Sequence, residues 1–282
     1  MSKKRLRSEE KKAAASPKKA RKNVLKPLWV NNDTEEEDSG CITDVFARSS
    51  HCPQLHVTRV TDPDMKDYHA GNHNMLELLH VSSDDGKIEK KVSVDLTDYP
   101  MSVCEASSGL TFVAFYQSIK ALSGDKKKVA SCETNGCIHQ IRVSANKLFA
   151  VTEHGVEVFS VPDLKPVASK RYVDTRSLSV GKDNLWIGKV GFDLLELTHD
   201  LKQKKALPNN NSMAVVGISS TESHVFCSDH REGQLVVLDR STDDVVQTLK
   251  APGGWIGGMS LHEDRLYVAV GAKGVWTLEV SS

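Results

Sequence analysis

KLFAVTEHGVEVFSV, residues Lys147–Val161, holds two apolar runs split by Glu153-His154-Gly155. Each run is too short for a helix and rich in β-branched and aromatic residues, so the pair reads as two strands joined by a tight turn. The phrase returns as NLWIGKVGFDLLELT (Asn184–Thr198), HVFCSDHREGQLVVLD (His224–Asp239) and RLYVAVGAKGVWTLEV (Arg265–Val280). The corresponding residues Leu148, Leu185, Val225 and Leu266 are spaced by 37, 40 and 41 positions. Another apolar run precedes each phrase, such as Ile141–Ser144 and Met213–Ile218. More polar runs follow the first three: Pro166–Arg171, Lys202–Leu207 and Val245–Lys250. A unit of about 40 residues holding four strands, the last polar enough for an outer edge, is the blade of a β-propeller.

The same phase extends upstream. Leu110–Gln117, Ile119–Leu122 and Lys128–Ser131 supply one earlier blade. Ile42–Ala47, Leu55–Val60, Met75–Val81 and Lys87–Leu96 supply another, with a hairpin turn at Asp84–Gly86 and an enlarged loop from Thr61 to Asn74. The expectation is an all-β propeller of six four-stranded blades, with seven as the alternative count. The final repeat stops after three strands at Val280, and an open ring would leave unpaired edges. Leu28–Val30, in PLWVN (Pro27–Asn31), is the expected closing strand. The chain thus divides into a basic arm, residues 1–26, and a propeller, residues 27–282.

The repeat resembles a divergent WD-repeat protein from Pro27 to the end. QLVVLDRSTDDVVQTLKAP (Gln234–Pro252) comes closest, with Asp239 where that family's Trp-Asp pair would end. The chain departs from the family in having no Gly-His pair at the blade starts and no Trp-Asp dipeptide; Phe159-Ser160 and Leu197-Thr198 stand there instead. The resemblance implies a ring that holds protein partners on one rim.

Lys+Arg and Asp+Glu are both 37, but residues 1–28 carry eleven cations against two anions, so the body is acidic. Within the arm, Lys3, Lys4, Arg5 and Arg7 form one basic cluster, and Lys18, Lys19, Arg21 and Lys22 a second. Two such clusters on a chain too polar to fold alone have the pattern of a bipartite nuclear import signal, which makes an import carrier a partner. Ser16, in Ser-Pro-Lys-Lys, and Thr34, ahead of Glu37, are candidate phosphorylation sites. The arm could also give salt-sensitive nucleic-acid binding. No apolar run approaches the roughly 20 residues that cross a bilayer, and no membrane partner is expected. The six cysteines, without repeating spacing, read as reduced intracellular thiols.

Chemistry is sparse. Cys132, Cys137 and His139 offer three ligands where structural zinc takes four, so no metal or other cofactor is expected. No nucleophile–base motif or phosphate-binding glycine loop with lysine occurs. A channel-metal hydrolase would need inward carboxylates from several first strands. Glu105, Arg142, Asn146 and Glu263 make no such set. The loops of one rim present His154, Arg176, Lys189, Arg231, Trp255 and Lys273, with Arg and Trp the residue types that dominate interface energetics. Trp255 has a second reading as a plug in the channel. The sequence therefore points to a non-catalytic nuclear scaffold or adaptor, a subunit of a chromatin, RNA-processing or ribosome-assembly complex. The alternatives are a six-bladed metal-dependent hydrolase and a nucleic-acid-binding protein acting through the arm.

Overall fold

The computed structural model describes residues 24–31, 41–48, 54–60, 74–81, 88–96, 98–191, 194–207, 213–271 and 274–281. Strand β1 (Leu25–Asn31) comes first. A first sheet follows, made of β2 (Cys41–Arg48), β3 (Gln54–Val60), β4 (Asn74–Val81) and β5 (Ile88–Leu96). The second contains β6 (Ser102–Glu105), β7 (Thr111–Ala114), β8 (Ser118–Leu122) and β9 (Lys128–Glu133). The third holds β10 (Ile138–Ser144), β11 (Lys147–Thr152), β12 (Gly155–Ser160) and β13 (Pro166–Arg171). Then come β14 (Thr175–Val180), β15 (Leu185–Lys189), β16 (Leu194–Leu197) and β17 (Gln203–Leu207) as the fourth. The fifth is β18 (Val215–Ser220), β19 (His224–Asp229), β20 (Gln234–Asp239) and β21 (Val245–Lys250). Last are β22 (Met259–His262), β23 (Arg265–Ala269) and β24 (Val275–Val280), completed by β1 in the order β1-β24-β23-β22. Among the described residues these make six four-stranded antiparallel sheets, and the architecture is an all-β propeller. The hairpin turn expected at Asp84–Gly86 lies outside the described residues.

In the third sheet burial peaks in the two middle strands and is lost at the outer edge. The middle strands β11 and β12 are buried on both faces, whereas β13 is exposed along its whole length. Such strands lose the strict alternation of a two-layer sheet because neighbouring sheets cover both sides. Six apolar clusters each straddle one junction. Phe149 and Val158 of the third sheet meet Leu185 and Ile187 of the fourth. Val45 and Leu55 of the first meet Tyr267 and Val275 of the sixth. The innermost strands pack in succession from β2 through β6, β10, β14, β18 and β22 back to β2. The template turn depends on Gly155, whose φ of 145° is glycine territory and whose added Cβ would collide with the Lys170 carbonyl.

Closure comes from the N-terminal strand, which begins at Leu25, two residues before the boundary read from the sequence. It pairs antiparallel with β24 from Leu25↔Val280 to Asn31↔Val275, with a register shift between Pro27 and Trp29. The Gln247 side chain of the fifth sheet brackets it, accepting from Leu25 N (2.8 Å) and donating to Leu25 O (2.9 Å). The Leu25 side chain, 1% exposed, joins the cluster between fifth and sixth sheets, while Leu28 is 39% exposed. Leu25→Ala is therefore expected to cost about 2–5 kcal/mol in denaturant unfolding, against under about 1 kcal/mol for Leu28→Ala. Equal, small losses would show that the strand does not hold the ring shut.

Candidate functional site

The inner strands define two regions, a central channel and the face where second-to-third turns and inter-sheet linkers meet. At the channel centre Asp44 of β2 faces Arg142 of β10, both buried. Arg142 Nη1 donates to Asp44 Oδ2 (2.8 Å) and Nη2 to Oδ1 (3.0 Å). Arg142 also donates to the carbonyls of Ile141 (2.8 Å) and Met259 (3.0 Å). Burial opposes the guanidinium charge, yet the Asp44 charge and its hydrogen bonds hold the Arg142 pKa above the ordinary value.

Around this pair, hydrogen bonds pass from sheet to sheet. Ser102 Oγ donates to Asp44 Oδ2 (2.6 Å) and accepts from Ile141 N (3.0 Å). Gln140 accepts from Leu178 N (2.6 Å), and Ser177 Oγ donates to Val215 O (3.2 Å). Ser228 Oγ donates to Gly257 O (2.9 Å), and Ser260 Oγ accepts from Ala47 N (3.0 Å). Asp44, Gln140, Ser177 and Gly217 each follow a register shift at the same place in their inner strands. Small residues make room for the seam: a Cβ on Gly258 would strike the Asp44 carboxylate, and one on Gly217 would strike Gly257 O.

These positions correct the sequence reading of the channel. The inward carboxylate absent from that reading is Asp44. Asn146 and Glu263 lie in turns after the inner strands, outside β10 and β22. Below the pair, the channel widens to a cavity of about 510 Å³ lined by residues including Phe46, Glu105, Ser219, Ser260 and His262. Glu105 Oε2 stands 2.8 Å from His56 Nε2, both buried.

On the opposite face the rim residues disperse into separate groups. Arg176 donates to His139 (Nη1–Nε2 2.9 Å). Trp255 packs half-buried against Gly271 and edge-on to His230, with ring centroids 5.6 Å apart, over the fifth–sixth junction. His154 is exposed 3.8 Å from Glu153. Lys189 is half-buried and Arg231 exposed. Lys273, the import clusters, Ser16 and Thr34 lie outside the described residues. Cys132, Cys137 and His139 do not converge, and among the described residues no three His, Cys, Asp or Glu side chains do. Burial pushes both thiols up to about 11.

A third group escaped sequence reading. Asp98, Tyr99, Phe115, Tyr116 and Glu133 line a cavity of about 440 Å³ at the top of the second sheet. Tyr116, 49% exposed, sits at the tip of the turn between β7 and β8. Lys120 Nζ lies 4.4 Å from the Phe115 ring centroid and 2.5 Å from Asp98 Oδ2. Only the clustering of aromatics in Tyr99 and Phe115-Tyr116 could have signalled it.

The geometry defines a β-propeller with a buried ion pair at its centre and an uneven linker face. No known protein family matches the sequence, and no curated protein is significantly similar to it. Solved structures with this fold include a streptogramin B lyase, at a TM-score of 0.62 and 10% identity, covering 91% of this chain and 97% of that one. A catalytically inactive variant of virginiamycin B lyase from Staphylococcus aureus, with quinupristin, gives 0.62 and 10%, covering 91% and 99%. The β-propeller domain of Cps50 (Swd1) from Myceliophteria thermophila gives 0.56 and 11%, covering 86% and 97%. Identities this low establish the fold alone.

Burial, and then the Arg176 charge, hold the His139 pKa down at about 4 against an ordinary 6.5, with Glu153 opposing. Below pH 6.5 the unfolded chain takes up a proton that the folded chain refuses, so stability falls as pH drops from about 6.5 to 4. His139→Gln should flatten that fall by up to about 1 kcal/mol per pH unit in denaturant unfolding followed across this range. Parallel profiles for variant and wild type would overturn the assignment.

Proposed function

We propose that this chain is a non-catalytic scaffold or adaptor of the nucleus. Each four-stranded sheet serves as one blade of a six-bladed ring, and protein or peptide partners bind on the face carrying the inter-sheet linkers. The complex it serves belongs to chromatin, RNA-processing or ribosome-assembly machinery. The observation that carries this reading is the allocation of polar side chains. Those of the inner strands are spent on each other in the seam around Asp44 and Arg142, while the linker face keeps exposed aromatic and charged groups around a concave surface. The basic arm, followed directly by the closing strand, supports the nuclear address.

A second reading, an enzyme using the channel, draws on the cavity beneath Arg142 and the buried Glu105–His56 pair. The similarity to two lyases adds only the fold to it.

The test follows the full-length chain, fluorescently tagged at its C-terminus, and isolates it from cells. We expect nuclear fluorescence that moves to the cytoplasm when Lys18, Lys19, Arg21 and Lys22 become Ala, together with a reproducible, stoichiometric set of protein partners. A chain that stays cytoplasmic in both forms, or elutes without partners, contradicts the proposal.

A further inference from the structure

We infer that the cavity at the top of the second sheet is a recognition site for a lysine or arginine side chain on a basic peptide segment of a partner. This rests on the scaffold reading above and names the chemistry of one of its partners.

The walls are fixed before any ligand arrives. Phe115 N donates to Ser118 O (2.8 Å), which makes Tyr116 and Gln117 the tip of a tight turn. Thr134 N donates to Gln117 O (3.0 Å) and Ile138 N to Tyr116 O (2.8 Å), pinning that tip to the linker entering the third sheet. Met101 N donates to Ala114 O (2.8 Å), which holds the Asp98–Tyr99 segment on the other side. A site held this way gives up little ordering entropy on binding.

Its chemistry selects a cation. Three aromatic side chains, Tyr99, Phe115 and Tyr116, share the cavity with the carboxylates of Asp98 and Glu133. Aromatic faces attract cations through their quadrupole, and a carboxylate at the lip adds charge. The protein itself demonstrates the preference, because Lys120 already places its ammonium on the Phe115 face with Asp98 as counter-ion. Lys120 neutralises one of the two carboxylates, which leaves Glu133 to face the incoming charge. About 440 Å³ is within the range that accepts a long side chain and its flanking backbone. Counted along the sequence, the body of the chain is net acidic as well. Taking the eleven cations and two anions of residues 1–28 from totals of 37 and 37 leaves 26 cations against 35 anions in the body.

The experiment uses the full chain and a fluorescein-labelled dodecapeptide of alternating lysine and glycine, with a glutamate counterpart as control, followed by anisotropy. The expected dissociation constant for the lysine peptide is below about 100 μM, with no saturable binding of the glutamate peptide. Tyr116→Ser and Glu133→Lys should each weaken binding about tenfold, and Tyr116→Phe should restore it, consistent with one aromatic contact or one charge. Glu232→Lys, an acidic position on the same face but outside the cavity, should leave the affinity unchanged. Exposed Tyr116 and Glu133 make these variants safe for the fold, and unchanged melting temperatures check it. Binding insensitive to Tyr116 and Glu133, or weakened equally by Glu232→Lys, overturns the site in favour of a diffuse acidic surface. If the cellular partner set is retained in full by the Tyr116→Ser/Glu133→Lys double variant, the scaffold reading stands and this site falls.

Discussion

Asp44 and Arg142 are joined across 98 positions of sequence by two parallel hydrogen bonds inside the protein. Taking a carboxylate and a guanidinium out of water costs several kcal/mol each, and the pair recovers that only because its remaining valences are also met. Ser102 and Gln140 donate to Asp44, and the carbonyls of Ile141 and Met259 accept from Arg142. First, second, third and sixth sheets are thereby tied at one point. Apolar junctions favour sheets lying side by side but say little about how many close a ring. A charge pair whose hydrogen bonds reach four sheets is directional, and it fixes where they stand.

The rest of the architecture follows from that constraint. Gly258 must lack a side chain because Asp44 occupies the space beside it, and the serines of the inner strands turn toward the next sheet to continue the seam. Polar groups used in this way are engaged with one another across the sheet junctions. The outer strands β9 and β13 are largely exposed and mostly polar. Among the described residues, the linker face brings aromatic and charged side chains around a concave surface at the second sheet.

The propeller was legible in the sequence because each repeat writes the same phrase: two strands buried on both faces, then a polar edge. Val156 and Val158, or Val236 and Val237, need no distant partner to declare themselves. The closing strand was legible by the same logic, since three strands ending at Val280 need a fourth. Its start at Leu25 was not, because Leu25 is recognisable as core only once Gln247 and the fifth–sixth cluster stand beside it. Asp44 was passed over for a similar reason. An aspartate in a β-rich run looks like a solvated residue until a guanidinium from another repeat is placed against it. The signal was present in a subtler form: Asp44, Gln140, Ser177 and Gly217 occupy one position of the repeat, where a polar or small residue recurs among apolar neighbours. His154, Arg176, Arg231 and Trp255 share the linker face as the repeat implies, but whether they met one another depended on side-chain packing that spacing does not encode.

The central claim, that a buried ion pair fixes the ring, is tested most directly by a double-mutant cycle in denaturant unfolding with Asp44→Asn, Arg142→Met and both together. Each single change should cost about 3–5 kcal/mol, because it strands a buried charge. The double variant should recover about 2 kcal/mol or more of the summed loss. Additivity within about 0.5 kcal/mol would mean that the two residues do not act as a unit, and the ring would have to be held by its apolar junctions alone.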